Sequence, residues 1–204
     1  MPAAATVKRK KSLYSMHPSF DYEDAGLRLI KERTGKTLEE WIANVKRNGP
    51  AEPKARLGWL KKQGLTMNYA GWVASRASGT GGRENYHPEK LVDAMFGGPK
   101  EALRPIYEKL LKLGLSIAKD VKACPCSTIV PLYRKHVFAQ IKPSTNTRID
   151  MGFALGGMKP SGRLIDTGGF AKKDRITHRI PIASLAEIDD EVRKWLEKAY
   201  ELDA

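Results

Sequence analysis

The segment most suited to ligand chemistry lies between residues 142 and 148, where hydroxyl and amide side chains stand between two cations. It reads Lys142, Pro143, Ser144, Thr145, Asn146, Thr147, Arg148. Cations with neighbouring hydroxyl donors suit a phosphate or a carboxylate. The same residue types also favour a hairpin turn that binds nothing. The sequence leaves both interpretations open.

A second loop adds cations and backbone freedom. It reads Gly156, Gly157, Met158, Lys159, Pro160, Ser161, Gly162, Arg163, and Lys172, Lys173, Arg175 and Arg179 follow. If the two loops converge, they form one basic pocket. We therefore predict that an anion contacts seven side chains: Lys142, Ser144, Thr145, Arg148, Lys159, Arg163 and Arg179.

His178 is the candidate for proton transfer or ligand contact. Strand alternation places it on one face with Ile176, Ile180 and Ile182, so it is expected to point inward. The alternative is a half-buried histidine whose hydrogen bonds are satisfied within the protein. Its catalytic role is therefore a hypothesis, and the sequence identifies no other catalytic residue.

Few residues are suited to a metal or a cofactor. Cys124 and Cys126 are too close along the chain for an ordinary disulfide, and with His136 or His178 they make a poor zinc pattern. The glycines of residues 78–82 follow no strand and precede no Gly-Lys-Ser/Thr. We predict no metal and no cofactor. The two cysteines favour a reducing compartment, the cytoplasm.

The C-terminal half must position these loops. An apolar period of two predicts strands over residues 129–134, 137–142, 148–155 and 176–182, and their short connections favour antiparallel pairing. Helices are predicted over residues 89–96 and 103–114. Ser184 and Glu187 have capping-box spacing at the start of a last helix, which is expected to cover one side of the sheet.

The N-terminal half has a helical period instead. Helices are predicted from Asp21 to Gly35, from Thr37 onward with Glu40 as its capping-box partner, and over residues 53–64 and 67–77. The last two resemble a helix-turn-helix. However, apolar residues recur along its second helix at helical spacing, so part of that helix is expected to face a hydrophobic core instead of a DNA groove.

These elements predict an α+β protein: a small N-terminal helical bundle followed by an antiparallel sheet flanked by helices. We divide the chain into a flexible basic arm (1–19), a helical domain (20–77), a linker (78–88) and an α+β domain (89–204). The linker is rich in glycine and ends at Pro88.

The chain carries a formal charge of +13, unevenly spread. Residues 119–180 hold 12 basic and 4 acidic side chains, whereas residues from 184 onward hold 3 and 7. A positive surface attracts polyanions, although it also serves solubility alone. No run approaches the roughly 20 apolar residues that span a bilayer, so no membrane partner is expected.

Several segments carry a family resemblance. From about residue 21 to 77 the chain resembles domain of unknown function 4287, and from about residue 103 it resembles domain of unknown function 5655, a two-part bacterial arrangement. The second resemblance rests on residues 103–107, 133–135, 138–144, 147–152, 160–164 and 178–179. It implies that Ser144, Thr145, His178 and the arginines lie in family motifs, and it implies no activity or substrate.

Our leading hypothesis is a non-enzymatic module that binds an anion, with DNA or RNA as partner. The alternative is a binding or enzymatic site for a small phosphorylated or other anionic ligand in the C-terminal domain, using His178 with arginines. A third possibility is an accessory protein in stress or iron handling that acts through protein contacts. In that case the helical domain or the acidic last helix would meet a protein partner.

Overall fold

The computed structural model describes residues 12–204, which divide into two compact units. One unit is Met16–His87, and the other joins residues 12–15 to residues 88–204. The boundary between His87 and Pro88 lies inside the predicted linker. The basic run from Lys8 to Lys11 lies outside the described residues.

The first unit is helical. Its helices are α1 (Ser19–Arg28), α2 (Ile30–Thr34), α3 (Leu38–Asn48), α4 (Pro53–Lys62) and α5 (Met67–Ala77), followed by a 3-10 turn at Arg83–Asn85. The predicted capping box forms at α3, where Thr37 accepts from the Glu40 N–H and Glu40 accepts from the Thr37 N–H. The single helix predicted from Asp21 is interrupted at Leu29, whose N–H bonds to Gly26 in a tighter turn.

Helix α5, the second helix of the predicted helix-turn-helix, packs against α1. Arg76 forms an ion pair of 3.0 Å with Glu23, and the Tyr69 hydroxyl donates to the Gly26 carbonyl at 3.1 Å. The Trp72 ring packs directly on Gly26, and a Cβ added to Gly26 would lie 2.5 Å from that ring. Contacts within the unit therefore occupy the side chains of Tyr69, Trp72 and Arg76.

The segments predicted as arm and linker make defined contacts where they are described. Tyr14 bridges to Ala123, and its hydroxyl lies 2.8 Å from that of Tyr107. In the 78–88 segment, Arg83 forms ion pairs of 2.6 Å with Asp21 and 2.8 Å with Asp24. Residues 12–15 therefore pack on the C-terminal unit, and Arg83 fastens its segment to α1.

The second unit is an antiparallel sheet with helices. It contains α6 (Pro88–Met95), a 3-10 turn (Gly98–Leu103), α7 (Arg104–Ser116), β1 (Lys122–Ala123), β2 (Val130–Tyr133), β3 (Val137–Pro143), β4 (Ile149–Phe153), β5 (Ile165–Asp166), β6 (His178–Ile182), a 3-10 turn (Leu185–Glu187) and α8 (Asp190–Leu202). In the described chain the strand order is β1-β2-β3-β4-β6-β5. The α+β prediction is confirmed.

The central strands have one apolar and one polar face. Ile141, Met151 and Ile180 lie in register across β3, β4 and β6 and are fully buried in a single core with residues of α6, α7 and α8. Their neighbours Gln140 and Arg179 lie in register on the other face, on either side of Gly152. Period-two alternation thus directs the apolar side chains toward the helices and leaves a polar face opposite them.

Candidate anion-binding site

A groove of about 540 Å³ lies on the polar face of the sheet, and we call it the sheet groove. It is lined by Gln140, Lys142, Asp150, Gly152, Thr167, Asp174, Arg175, Ile176 and Arg179. Gly152 lines the groove beside Ile176, and a larger residue would not fit there, because a Cβ at Gly152 would lie 2.7 Å from the Ile176 side chain. Strands β3, β4 and β6 therefore place Lys142, Asp150 and Arg179 around one cleft.

Asp150 is the centre of this cleft. Its Oδ1 lies 3.0 Å from Arg148 Nε and 2.9 Å from Arg179 Nη1, and its Oδ2 accepts a 2.7 Å hydrogen bond from Ser144. The carboxylate side chain is 14% exposed, whereas the two guanidinium side chains are 39% and 31% exposed. One half-buried carboxylate thus holds two arginines that remain partly open to solvent.

The ionic contacts in this cluster have poor hydrogen-bond alignment. Arg148 Nε, Asp150 Oδ1 and Arg179 Nη1 are all buried, yet none of them makes a hydrogen bond of acceptable geometry in the structure. A short distance without alignment is an electrostatic contact and not a full hydrogen bond. Buried polar atoms without such bonds are uncommon in folded proteins and call for an explanation.

The 142–148 segment forms a hairpin turn between β3 and β4. The Ser144 and Thr145 N–H groups both bond to the Arg148 carbonyl, at 3.1 and 3.3 Å. The Thr145 hydroxyl accepts from the Thr147 N–H at 3.2 Å. Turn formation accordingly uses the Thr145 hydroxyl, and the Asp150 contact uses that of Ser144, while the Lys142 side chain is exposed.

A second groove of about 490 Å³ lies on the other side of this turn, and we call it the turn groove. Lys142 lines both grooves, and Lys100, Ser127, Thr128, Ser144 and Asn146 join it in the second. Among the described residues that line the turn groove, the charged ones are all lysines. Lys100 also donates to the Pro143 carbonyl at 3.0 Å. Sequence reasoning missed Lys100, because nothing in its local pattern connects it to a turn some forty residues later.

Arg163 has a different environment from that of the groove cations. Its Nε lies 2.7 Å from Glu191 and its Nη2 lies 2.5 Å from Asp189, while Nη1 donates to the Glu187 carbonyl at 3.1 Å. Hydrogen bonds from Arg163 lower the pKa of Glu191. The guanidinium therefore fastens its loop to the start of α8. Lys159 is exposed on the same loop.

The two basic loops do not converge. The 142–148 turn precedes Ile149 at one end of β4, and the second loop follows Phe153 at the other end. Five residues of strand separate them, which is about 15 Å. The structure thus brings together Lys142, Ser144, Arg148 and Arg179, and it places Lys159 and Arg163 elsewhere, because the intervening strand keeps the loops at opposite ends.

His178 lies inside the unit, on the helix-covered face. It is 1% exposed, its Nε2 lies 2.9 Å from the Met158 carbonyl, and its Nδ1 lies 2.9 Å from the Thr177 hydroxyl. Because a carbonyl only accepts, these partners assign the ring hydrogen to Nε2. The Thr177 hydroxyl in turn accepts from the Leu155 N–H at 3.1 Å. His178 therefore does not line the sheet groove, and both ring nitrogens have partners within the protein.

Cys124 and Cys126 are thiols that are not joined in a disulfide. Burial raises the pKa of Cys124 to about 11, and burial also raises the pKa of Cys126, so neither has the low pKa of a reactive thiol. Within residues 12–204, no three His, Cys, Asp or Glu side chains are grouped so that they could hold a metal ion.

The fold and the cleft define an α+β domain with a basic polar sheet face. Residues 92–203 match the family described as Domain of unknown function (DUF5655), and the match spans more than half of the chain. The protein therefore belongs to this family, as the C-terminal resemblance implied. No curated protein and no solved structure matches the chain. In the described part of the chain, no helix has the length and apolar character needed to cross a bilayer.

Proposed function

We propose that the C-terminal unit is a non-enzymatic module that binds a polyanion, namely nucleic acid, across the sheet groove and the turn groove. The observation that carries this proposal is the pair of arginines on Asp150. Arg148 and Arg179 each contact the carboxylate through one nitrogen, and both side chains are partly exposed. Guanidinium groups whose orientation is already fixed lose little conformational entropy when they bind phosphate.

The charge balance at Asp150 supports the same proposal. Two arginines surround one carboxylate, and a phosphate can accept hydrogen bonds from the guanidinium N–H groups that do not face Asp150. Lys142 separates the two grooves, and Lys100 lies beyond it in the turn groove. A polyanion that crosses this ridge meets Arg179, Lys142 and Lys100 in succession, which suits a phosphodiester backbone better than a single small anion.

The proposed function predicts binding that falls steeply with salt. Each phosphate contact contributes a slope of about −0.9 in log K against log salt for duplex DNA and about −0.7 for single strands. The variant Lys142→Gln with Arg148→Gln is expected to flatten the slope by about 1.5, in fluorescence anisotropy titrations of labelled oligonucleotides between roughly 50 and 200 mM salt. Glutamine keeps polar atoms near Asp150 while it removes both charges.

The matched control is Lys112→Gln with Lys119→Gln, which removes the same two charges from exposed positions on and just after α7. It is expected to leave the slope close to that of the wild-type protein. Equal slopes for the groove variant and this control would contradict the proposal. So would an absence of oligonucleotide binding by the folded wild-type protein at low salt.

We propose that residues 21–77 form a domain like domain of unknown function 4287 and add affinity or a protein contact. We propose a cytoplasmic location, supported by the two unbridged cysteines. The enzymatic alternative built on His178 loses support, because that ring is buried and both of its nitrogens are occupied.

A further inference from the structure

Phe170 is an exposed aromatic ring in the loop between β5 and β6. Its exposed fraction is 61%, the second highest among the large exposed hydrophobic side chains of the described chain. The loop is internally bonded: the Asp174 N–H donates to the Gly169 carbonyl at 2.9 Å, and the Lys173 N–H donates to the Phe170 carbonyl at 3.1 Å. The ring is thus presented to solvent by a structured turn.

The placement of the ring depends on a glycine. A Cβ added to Gly157 would lie 3.1 Å from the Phe170 ring, which is tighter than ordinary van der Waals contact. One side of the ring therefore rests on the backbone at Gly157 without being buried beneath other side chains. A ring that is supported on one side and exposed on the other can accept a flat partner.

Two lysines follow this ring closely in the same loop. Lys172 and Lys173 are exposed, and in the described chain neither takes part in an ion pair. Lys173 has a φ of 61°, and it is the only described non-glycine residue with a positive φ. The left-handed conformation is sterically unfavourable for a lysine, so the turn holds this side chain at an energetic cost.

The ring and Lys173 adjoin the sheet groove. Phe170 and Lys173 line a groove of about 550 Å³, which we call the Phe170 groove, and it shares Asp174 and Arg175 with the sheet groove. Arg175 holds this junction in place, because it forms an ion pair with Asp203 and donates to the Val137 carbonyl at 2.8 Å. One continuous surface therefore carries cations at the sheet and an aromatic ring with further cations at its end.

We propose that this surface binds single-stranded nucleic acid, with an unpaired base stacked on Phe170 and its flanking phosphates near Lys172 and Lys173. This inference rests on the proposed function and specifies its ligand. Exposed aromatic rings beside a basic track bind single strands, because every base has a flat face. In a duplex, the faces of the bases are already stacked on their neighbours and cannot reach the ring.

The test compares two ligands that carry the same charge. One is labelled dT12, with rU12 as the RNA counterpart, and the other is an abasic strand with the same number of phosphates. Phe170→Ala is expected to bind dT12 or rU12 about tenfold more weakly than wild type, at the lower end of the range for one stacked base. The same variant is expected to bind the abasic strand as wild type does. Phe170→Tyr, which keeps a ring, is expected to restore binding of dT12.

Two further variants control for structure. Phe170→Leu keeps an apolar side chain over Gly157 but has no ring, and it is expected to bind like Phe170→Ala. Leu185→Ala removes another exposed apolar side chain of the same unit, 46% exposed, and is expected to have no effect. A loss that appears equally with the abasic strand would overturn the stacking proposal, as would equal binding of dT12 by Phe170→Ala and wild type.

The binding measurements separate base stacking on Phe170 from general polyanion binding. If Phe170→Ala binds dT12 normally while the Lys142 and Arg148 double variant flattens the salt slope, only the stacking proposal fails. If the wild-type protein binds neither duplex nor single strand, both proposals fail. Preferential binding of duplex with no effect of Phe170 would keep the polyanion proposal and refute the single-strand assignment.

Discussion

Replacement of Thr177 by valine tests whether His178 has a structural role. The Thr177 hydroxyl accepts from the Leu155 N–H at 3.1 Å and lies 2.9 Å from His178 Nδ1, and Thr177 itself is 2% exposed. Valine has nearly the same shape but cannot make either bond. The variant therefore leaves one donor and one acceptor buried without partners, while the rest of the packing is preserved.

The expected cost follows from these two groups. An unsatisfied buried polar group costs about 1–3 kcal/mol, so two cost about 2–6 kcal/mol. The extra buried methyl group of valine offsets about 1 kcal/mol of this. We expect a net loss of about 3 kcal/mol in the free energy of unfolding, from the middle of this range.

Urea-induced unfolding measures this difference. With a slope near about 2 kcal/mol per molar urea, the midpoint of the Thr177→Val variant is expected to fall by about 1.5 M. Thr177→Ser is the control, because it keeps the hydroxyl and loses only a buried methyl group at a cost of about 1 kcal/mol. If valine costs no more than serine, the hydrogen-bond chain through His178 is not a structural element and our interpretation of this histidine is wrong.

Two further predictions concern packing and pH. Gly114→Ala is expected to destabilise the unit by about 1–3 kcal/mol, because its Cβ would lie 2.4 Å from the Leu132 side chain, and thermal unfolding checks this. Arg163→Met is expected to cost about 1 kcal/mol at pH 7, since the ion pairs it loses are partly exposed. Hydrogen bonds from Arg163 lower the pKa of Glu191 in the folded protein. The stabilisation by the Arg163–Glu191 pair is therefore fully present above the ordinary glutamate pKa, and it is lost as the pH falls through the lowered pKa of Glu191. The free energies of unfolding of the wild-type protein and Arg163→Met should therefore be closer at pH 3 than at pH 7. A difference as large at pH 3 as at pH 7 would contradict the role of the Arg163–Glu191 pair.

Local patterns were sufficient to predict most of the elements. The predicted strand over residues 137–142 is β3 at Val137–Pro143, and the predicted strand over 176–182 contains β6 at His178–Ile182. The prediction that His178 points inward agrees with its burial, because alternation within β6 places it on the face of Ile180 and Ile182. Ile176 was predicted on that face and instead lines the sheet groove, because it lies before the start of β6. The two-residue strands β1 and β5 were missed, since two residues are too few to show a period.

The candidate site was harder to predict, because it depends on contacts between distant residues. The type and spacing of Lys142 and Arg148 indicated an anion site, but their local sequence did not reveal Asp150 as the carboxylate between Arg148 and Arg179. Similarly, Arg163 looked available until the structure placed it against carboxylates from the start of α8. Charge patterns thus locate candidate cations, and only the fold shows which of them are already paired.

The short outer strands of the sheet also affect self-association. β1 and β5, the two edges of the described sheet, have two residues each, and Tyr14 already bridges to Ala123 of β1. An incoming strand needs a row of free backbone groups to extend a sheet, and such rows are what amyloid-like aggregation and domain swapping exploit. The edges of this sheet offer very few of these groups. Aggregation by strand addition is therefore disfavoured, and removal of residues 12–15 would uncover one of the two edges.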